Sequence, residues 1–412
     1  MIPFLFFDTA STTKCCSPAL RKMQQYATTD YGNPSSSHLF GQKAGQAIRE
    51  ARIFFSEQFR CAPEQIIFTG SGTEANNLAI SGLSLYFCVQ SKKPSSPIQV
   101  ITSSTEHASV RKTVTSLKDF GIHSEFIPVH RSGQPDILKL EEALQSKTTH
   151  SILLSLHQVN SIVGTIFDLE SIAKKVKKIA PHLIIHADSV QAFGKIPVPR
   201  YPSSIDVITL SGHKIEGPKG VGALIVLNKN ILPRIRPILW GGEQENGLRA
   251  GTQNAGLIAG FHEAAQQALH QQDDFLRHTS QLRNHFRSLL ERKNLLKKND
   301  SFGSVHWNSP ENSIPNIINL SVPGLPSGAL TQLLEERKCL VSVGSACSSQ
   351  KTEKDPVLKA MGFGPEIQNS SIRISFSRTH QLSEIEILGA ALSDSIDQMK
   401  KMTQKSKRTL SS

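Results

Sequence analysis

Short apolar, β-rich runs alternate with helix-like stretches through the first 230 residues, and this alternation limits the fold more than any other feature. Residues 65–69, 99–102, 151–156, 183–187, 206–210 and 223–227 read as buried strands. Residues 41–59, 109–120 and 169–179 read as helices between them. Strands that alternate with helices predict an α/β fold with a mostly parallel sheet covered on both faces. Residues 257–293 read as one long helix with few breakers, of the kind that bridges two domains. Beyond it, strand-like 314–322, helix-like 328–337, strand-like 371–376 and a final helix predict a smaller α+β domain. The apolar start, ending at Asp8, reads as an edge strand. Residues 91–97 read as a surface loop, and 299–315 as loop-rich with short strands.

In such sheets ligands gather beyond the carboxyl ends of the strands, and three polar groups are expected there. Gly70-Ser71-Gly72-Thr73-Glu74 joins a strand to a helix. Its glycines let backbone N–H groups approach an anion, and the helix start adds free donors and a positive dipole end. Thr73 adds a hydroxyl. Ser71 and Glu74 equally fit a capping box, so this motif alone is weak. It is not a P-loop, because the Gly-Lys spacing is missing. Asp188 ends the strand Ile184-Ile185-His186-Ala187, and Lys214 follows Thr209-Leu210-Ser211-Gly212-His213. Singly, Asp188 reads as a helix cap and Lys214 as a surface lysine at a glycine turn. Together with the cradle they match the needs of pyridoxal phosphate (PLP): a lysine for its aldehyde, a carboxylate for its ring nitrogen, and a site for its phosphate.

At these positions the chain resembles the NifS/IscS-type cysteine desulfurases, which are PLP enzymes of fold type I related to class-V aminotransferases. Asp8-Thr9-Ala10-Ser11-Thr12-Thr13, Gly32-Asn33-Pro34-Ser35-Ser36, Thr105-Glu106-His107, Ser211-Gly212-His213-Lys214, Arg249-Ala250-Gly251-Thr252 and Gly344-Ser345-Ala346-Cys347 occur in the family's order. They span residue 8 to Arg373. The resemblance implies a large PLP domain with a mostly parallel seven-stranded sheet, over 16–256. It also implies a small α+β domain over 257–412 that carries the cysteine loop, with residues 1–15 packed on it.

The resemblance further implies that Gly72, Thr73, Ser211 and His213 bind the phosphate, and that Thr252 reaches the phosphate of the neighbouring subunit in a homodimer. Asp188 would pair with the pyridine nitrogen and Gln191 with the phenolic oxygen. His107 would stack on the ring and move protons. Asn33 and Arg373 would hold the substrate carboxylate, a task that suits a planar guanidinium. L-cysteine would displace Lys214 from the cofactor. Cys347 would then attack the substrate sulfur, leaving alanine and a persulfide on Cys347. The small polar surroundings of Cys347 suit a mobile loop, and its thiolate needs help from a proton acceptor such as His107. Acceptors would be scaffold or carrier proteins for iron–sulfur cluster assembly, or tRNA-modifying enzymes.

The pattern departs from the family in His157-Gln158-Val159-Asn160-Ser161-Ile162-Val163-Gly164. Ser161 takes the place of an Asn that contacts the ring oxygen. Either Ser161 makes that contact or Asn160 shifts to substitute. Lys351-Thr352-Glu353-Lys354-Asp355-Pro356 replaces a more apolar stretch, so the sulfur acceptor can differ. Cys15-Cys16 has no functional account. Selenocysteine lysis or another fold-type-I reaction is the alternative enzyme reading; a non-catalytic scaffold of the same fold is the third.

Composition narrows the remaining classes. No run approaches the roughly 18 apolar residues of a membrane helix, and the start lacks a signal peptide's basic leader. A cytoplasmic chain is therefore expected. The six cysteines form no Cys-x-x-Cys pair, so no metal site is expected beyond a transient iron–sulfur contact at Cys347. The formal charge is +12, but the basic residues are dispersed and no aromatics interleave the lysine runs. Lys174, Lys175, Lys177 and Lys178 read as a solvated helix face, and 400–407 as a frayed tail. Sequence-specific nucleic-acid binding is not expected.

Overall fold

The computed structural model describes residues 4–90, 97–146, 148–296, 302–344 and 355–410, with side chains to Met402. Its strands are β1 (Leu5–Phe6), β2 (Ile66–Thr69), β3 (Ile98–Ser103), β4 (His123–Ile127), β5 (His150–His157), β6 (Ile184–Asp188), β7 (Val207–Ser211), β8 (Gly222–Val226), β9 (His306–Trp307), β10 (Ile317–Ser321), β11 (Cys339–Leu340), β12 (Ser342–Val343) and β13 (Ser371–Ser375).

Seven of these form one sheet, in the order β2-β8-β7-β6-β5-β3-β4. β8 runs antiparallel to β2 and β7, and the other neighbours are parallel. Parallel neighbours need crossovers. Helices Gly72–Gln90, Ala108–Ser116, Ile137–Leu144 and Leu169–Ile179 supply them. Side chains alternate across a strand, and the packing follows. Phe68, Ile101, Leu154, Ile185 and Ile225 join one apolar cluster. Ile67, Val100, Leu153, Ile184 and Leu224 join the cluster on the other face.

β4 is the strand that the apolar pattern leaves out. It lies at the sheet edge, and only Ile127 in it is buried. Helix Leu169–Ile179 is capped by Asp168, whose side chain accepts from Ser171 N. Leu169, Ile172, Ala173 and Val176 face inward. Lys174, Lys175 and Lys178 are exposed as expected, but Lys177 is half-buried and pairs with the buried Asp206 at 2.8 Å.

The single long helix expected over 257–293 is two helices, Ala255–His270 and Gln272–Arg292. Gln271 leaves the helical region between them, at φ −103° and ψ 16°. No glycine or proline marks the break, but the Gln271 side chain is engaged there by Arg378.

A second, antiparallel sheet runs β12-β13-β10-β9. Its core includes Leu282, Phe286, Leu320, Ile372, Phe376, Leu388 and Leu392. Phe7 is wholly buried in the same cluster. The N-terminal strand β1 pairs with β11, with Leu5 opposite Cys339. The final helix spans Leu382–Leu410. The 91–97 loop lies outside the described residues apart from Pro97, as do residues 345–354. No helix among the described residues is long and apolar enough to cross a membrane.

Candidate active site

The strand directions bring the carboxyl ends of β2, β3, β5, β6 and β7 to one edge of the large sheet, and the predicted polar residues meet there. Asp188 ends β6 and is buried. Its Oδ2 accepts from Asn76 Nδ2 at 2.8 Å and its Oδ1 from Val190 N at 3.1 Å. Asn76 Nδ2 also donates to Ser109 Oγ at 2.9 Å. Ser109 Oγ lies 2.7 Å from His107 Nδ1, which accepts from Ser109 N as well, at 3.1 Å. Because the Ser109 oxygen already accepts from Asn76, its own hydrogen points to His107. Nδ1 is therefore an acceptor, and the neutral imidazole carries its proton on Nε2. His107 is thus held at the start of helix Ala108–Ser116 by a chain that ends on Asp188.

The turn after β2 opens helix Gly72–Gln90. The capping contacts are present: Glu74 N donates to Ser71 Oγ at 3.1 Å and Gly70 N to Glu74 Oε2 at 2.9 Å. They leave the first-turn N–H groups of Gly72 and Thr73 available. A Cβ on Gly72 would lie 3.0 Å from Val190 Cγ2 and 3.1 Å from Ser211 Cβ. Only glycine keeps this helix start open beside Ser211. His213 Nδ1 is 3.1 Å from Thr12 Oγ1. Burial, reinforced by Lys214, Lys219 and Lys195, pushes its pKa down to about 4. It is neutral at physiological pH and can serve an anion as a donor rather than as a cation. Helix start, hydroxyl and neutral imidazole form a donor set that suits a phosphate.

Lys214 closes the short helical turn after β7. Its Nζ donates to Ala10 O at 2.7 Å and to Ser11 O at 2.6 Å. Thr13 N and Oγ1 donate to His213 O at 3.0 and 2.9 Å. The N-terminal segment therefore runs directly over the Lys214 turn. Gln191 Nε2 donates to the same Ala10 carbonyl at 2.8 Å.

Arg373, on β13, is almost wholly buried. Its Nη2 meets Asp8 Oδ1 at 2.8 Å and its Nη1 donates to Ser161 O at 2.9 Å. The Nε is buried without a hydrogen-bond partner among the described residues. Asn160 is held by its own turn and by Thr105, with one Nδ2 hydrogen left over. Its Oδ1 accepts from Ile162 N and Val163 N at 2.9 and 3.0 Å, and its Nδ2 donates to Thr105 O at 3.0 Å. The neighbouring Ser161 side chain is half-buried. Asn33 is exposed, and its Oδ1 accepts from Ser35 N at 3.0 Å, so no contact joins it to Arg373. Thr252 is exposed. Cys347 lies outside the described residues. Among the described residues no His, Cys, Asp or Glu cluster could hold a metal.

The aminotransferase class-V family model matches residues 5–388. The chain belongs to the class-V aminotransferase family. It is 33% identical over 402 residues to a mitosomal cysteine desulfurase of Encephalitozoon cuniculi, covering 97% of this chain and 88% of that protein. It is 33% identical to the cysteine desulfurase IscS of Dictyoglomus turgidum, over 90% of this chain and 89% of that one. Among solved structures, a NifS-like protein superposes with a TM-score of 0.84 at 30% identity, covering 95% of this chain and 98% of that one. SspA, solved in complex with cysteine, superposes with a TM-score of 0.76 at 29% identity, covering 90% and 99%.

The fold also brings to the site residues that sequence reasoning left without a role. Glu106 Oε1 pairs with His157 Nδ1 at 3.0 Å and accepts from Ser103 Oγ at 2.7 Å, all of it buried. The pair fixes the backbone just before His107. Asn76, Ser109, Asp8 and Lys195 complete the set. Asp8 and Glu106 lay inside quoted motifs, which was the available signal. Asn76 and Lys195 reach the site through contacts that no local pattern announces.

Proposed function

We propose that this chain is a PLP-dependent cysteine desulfurase, which converts L-cysteine to L-alanine and passes the sulfur on as a persulfide of Cys347. One observation carries the reading: Lys214, the buried Asp188 and the open helix start at Gly72 converge at one sheet edge. The names of the relatives support it, as does the neighbour solved with cysteine.

The residues fit the cofactor at each end. Gly72, Thr73, Ser211 and His213 are the phosphate donors, and Thr252 serves the phosphate of the neighbouring copy in a homodimer. Asp188 would pair with the ring nitrogen, and Asn76 and Val190 N hold its two oxygens in place. Gln191 would donate to the phenolic oxygen, with Ser161 or Asn160 beside it. When bound, the cofactor supplies an electron sink for the pair released at the substrate's Cα.

The chain's own groups do the rest. Lys214 takes the α-proton and returns it. His107, with Nδ1 occupied, gives and takes its proton at Nε2. Arg373 binds the substrate carboxylate and must share its guanidinium with Asp8; Asn33 joins it from its loop. The Cys347 thiolate attacks the substrate sulfur. An S–S bond forms, the Cβ–S bond breaks, and the pair left on Cβ takes up a proton to become the methyl group of alanine. The persulfide then goes to a scaffold or carrier protein for iron–sulfur assembly or tRNA thiolation, in the cytoplasm.

The test is an absorption spectrum of the purified protein, followed by L-cysteine with alanine and sulfide assayed together. The expected result is a cofactor band lost in Lys214→Ala, and equal yields of alanine and sulfur. Cys347→Ser should keep the band and lose sulfur release. No band after PLP is supplied, or full turnover in Cys347→Ser, would overturn the reading.

A further inference from the structure

Lys195 is a buried lysine, 5% exposed, one turn beyond Gln191. A lysine ammonium has donors and no acceptor. Its Nζ lies 2.9 Å from Gln191 Oε1. The Ala10 carbonyl can only accept, so Nε2 faces it and Oε1 is left to take a hydrogen from Lys195 Nζ. Oε1 is turned to Lys195 and Nε2 to the opposite side. There Nε2 meets the Ala10 carbonyl at 2.8 Å, the same oxygen that accepts from Lys214 Nζ at 2.7 Å. One Nε2 hydrogen remains. Gln191 therefore offers a donor, and not an acceptor, to whatever is bound above Lys214.

Charge adds to orientation. Lys195 and Lys214 line one cavity of about 30 Å³, together with the ion-paired Glu216 and Arg378. Burial, then Lys214 and Arg373, push the Lys195 pKa down to about 7. His213 feels the same amine. Lys214 in the same desolvated pocket lowers the proton affinity of Lys195.

We propose that Lys195 is a positioning residue for the cofactor site: it locks Gln191 as a hydrogen-bond donor toward the cofactor's phenolic oxygen and, when protonated, adds positive potential beside Lys214. The proposal rests on the reading of Lys214 as the PLP lysine. A fixed donor favours the ionised phenolic oxygen, so its loss raises the pH at which the bound chromophore gives up its proton.

The experiment compares the wild-type holoenzyme with Lys195→Met and Lys195→Gln. The readouts are the pH titration of the cofactor band, the PLP dissociation constant of the full-length apoprotein, and the unfolding temperature. In Lys195→Met the midpoint should rise by about one pH unit and PLP should bind about tenfold more weakly, with no fall in unfolding temperature. Lys195→Gln can still donate to Gln191 Oε1 but has no charge, and should fall between. It also carries the test if Lys195→Met does not fold. Superimposable titrations and equal affinities across the folded proteins overturn the proposal. A wild-type protein with no Lys214-dependent band instead overturns the cofactor reading beneath it.

Discussion

Asp8 Oδ1 stands 2.8 Å from Arg373 Nη2, so a charge pair joins the N-terminal segment to strand β13 across 365 residues of chain. The same segment gives the Ala10 and Ser11 carbonyls to Lys214. The proposed substrate-binding arginine and the proposed cofactor lysine therefore hang on one strap. Removing the carboxylate leaves a guanidinium that is only 3% exposed, with Ser161 O as its remaining hydrogen-bond partner among the described residues. Asp8→Ala should cost about 3 kcal/mol. Asp8→Asn keeps a neutral acceptor and should cost about half as much. Urea unfolding of the full chain measures both, and an Asp8→Ala midpoint equal to wild type would contradict the strap.

How much of this was legible follows from where the information sits. The buried strands announce themselves because a parallel strand covered on both faces is a continuous apolar run, as in Ile152-Leu153-Leu154. β4 does not, because an edge strand need bury little. Asp188 and Lys214 were legible as polar residues at strand ends. The capping contacts, read as the rival of an anion cradle, use Gly70 N and Glu74 N, and the N–H groups of Gly72 and Thr73 stay available beside them. Asn76 reads as one more polar helix residue until it is seen beside Asp188, 112 positions away. Lys195 follows a glycine and looks exposed in sequence; the surrounding fold buries it. The break at Gln271 has no local breaker, and its partner Arg378 is 107 positions distant.

The buried His186 predicts a pH dependence of stability. Its ring is wholly buried between Ser155 Oγ at 2.8 Å and Thr209 Oγ1 at 2.9 Å. Burial pushes its pKa from 6.5 down to about 4, against the opposing charge of Asp188. Below pH 6.5 the unfolded chain takes up a proton that the folded chain refuses until about 4. Stability is therefore lost as pH falls through that window, and this loss stops below it. The contribution is about 3 kcal/mol. Urea midpoints across the window should fall less steeply in His186→Gln than in the wild type. Parallel slopes would show that another group dominates.

The thiols give a test that separates structural cysteines from the proposed sulfur carrier. Cys339 is wholly buried in β11, and burial pushes its pKa up to about 11. Cys61 is pushed up to about 11 by burial and by Glu64. Burial and Cys16 raise Cys15 as well. A rise from 9 to about 11 cuts the thiolate fraction at neutral pH about a hundredfold. Brief iodoacetamide treatment at neutral pH should therefore spare Cys61 and Cys339, and Cys347 should react first. Mass spectrometry of the digested protein reads the positions. After incubation with L-cysteine, the extra sulfur should sit on Cys347 and be absent from the two spared thiols. Alkylated protein should keep its cofactor band while losing sulfur release. Extra sulfur on Cys61 or Cys339, with Cys347 unmodified, would move the chemistry to a thiol that the fold has made a poor nucleophile.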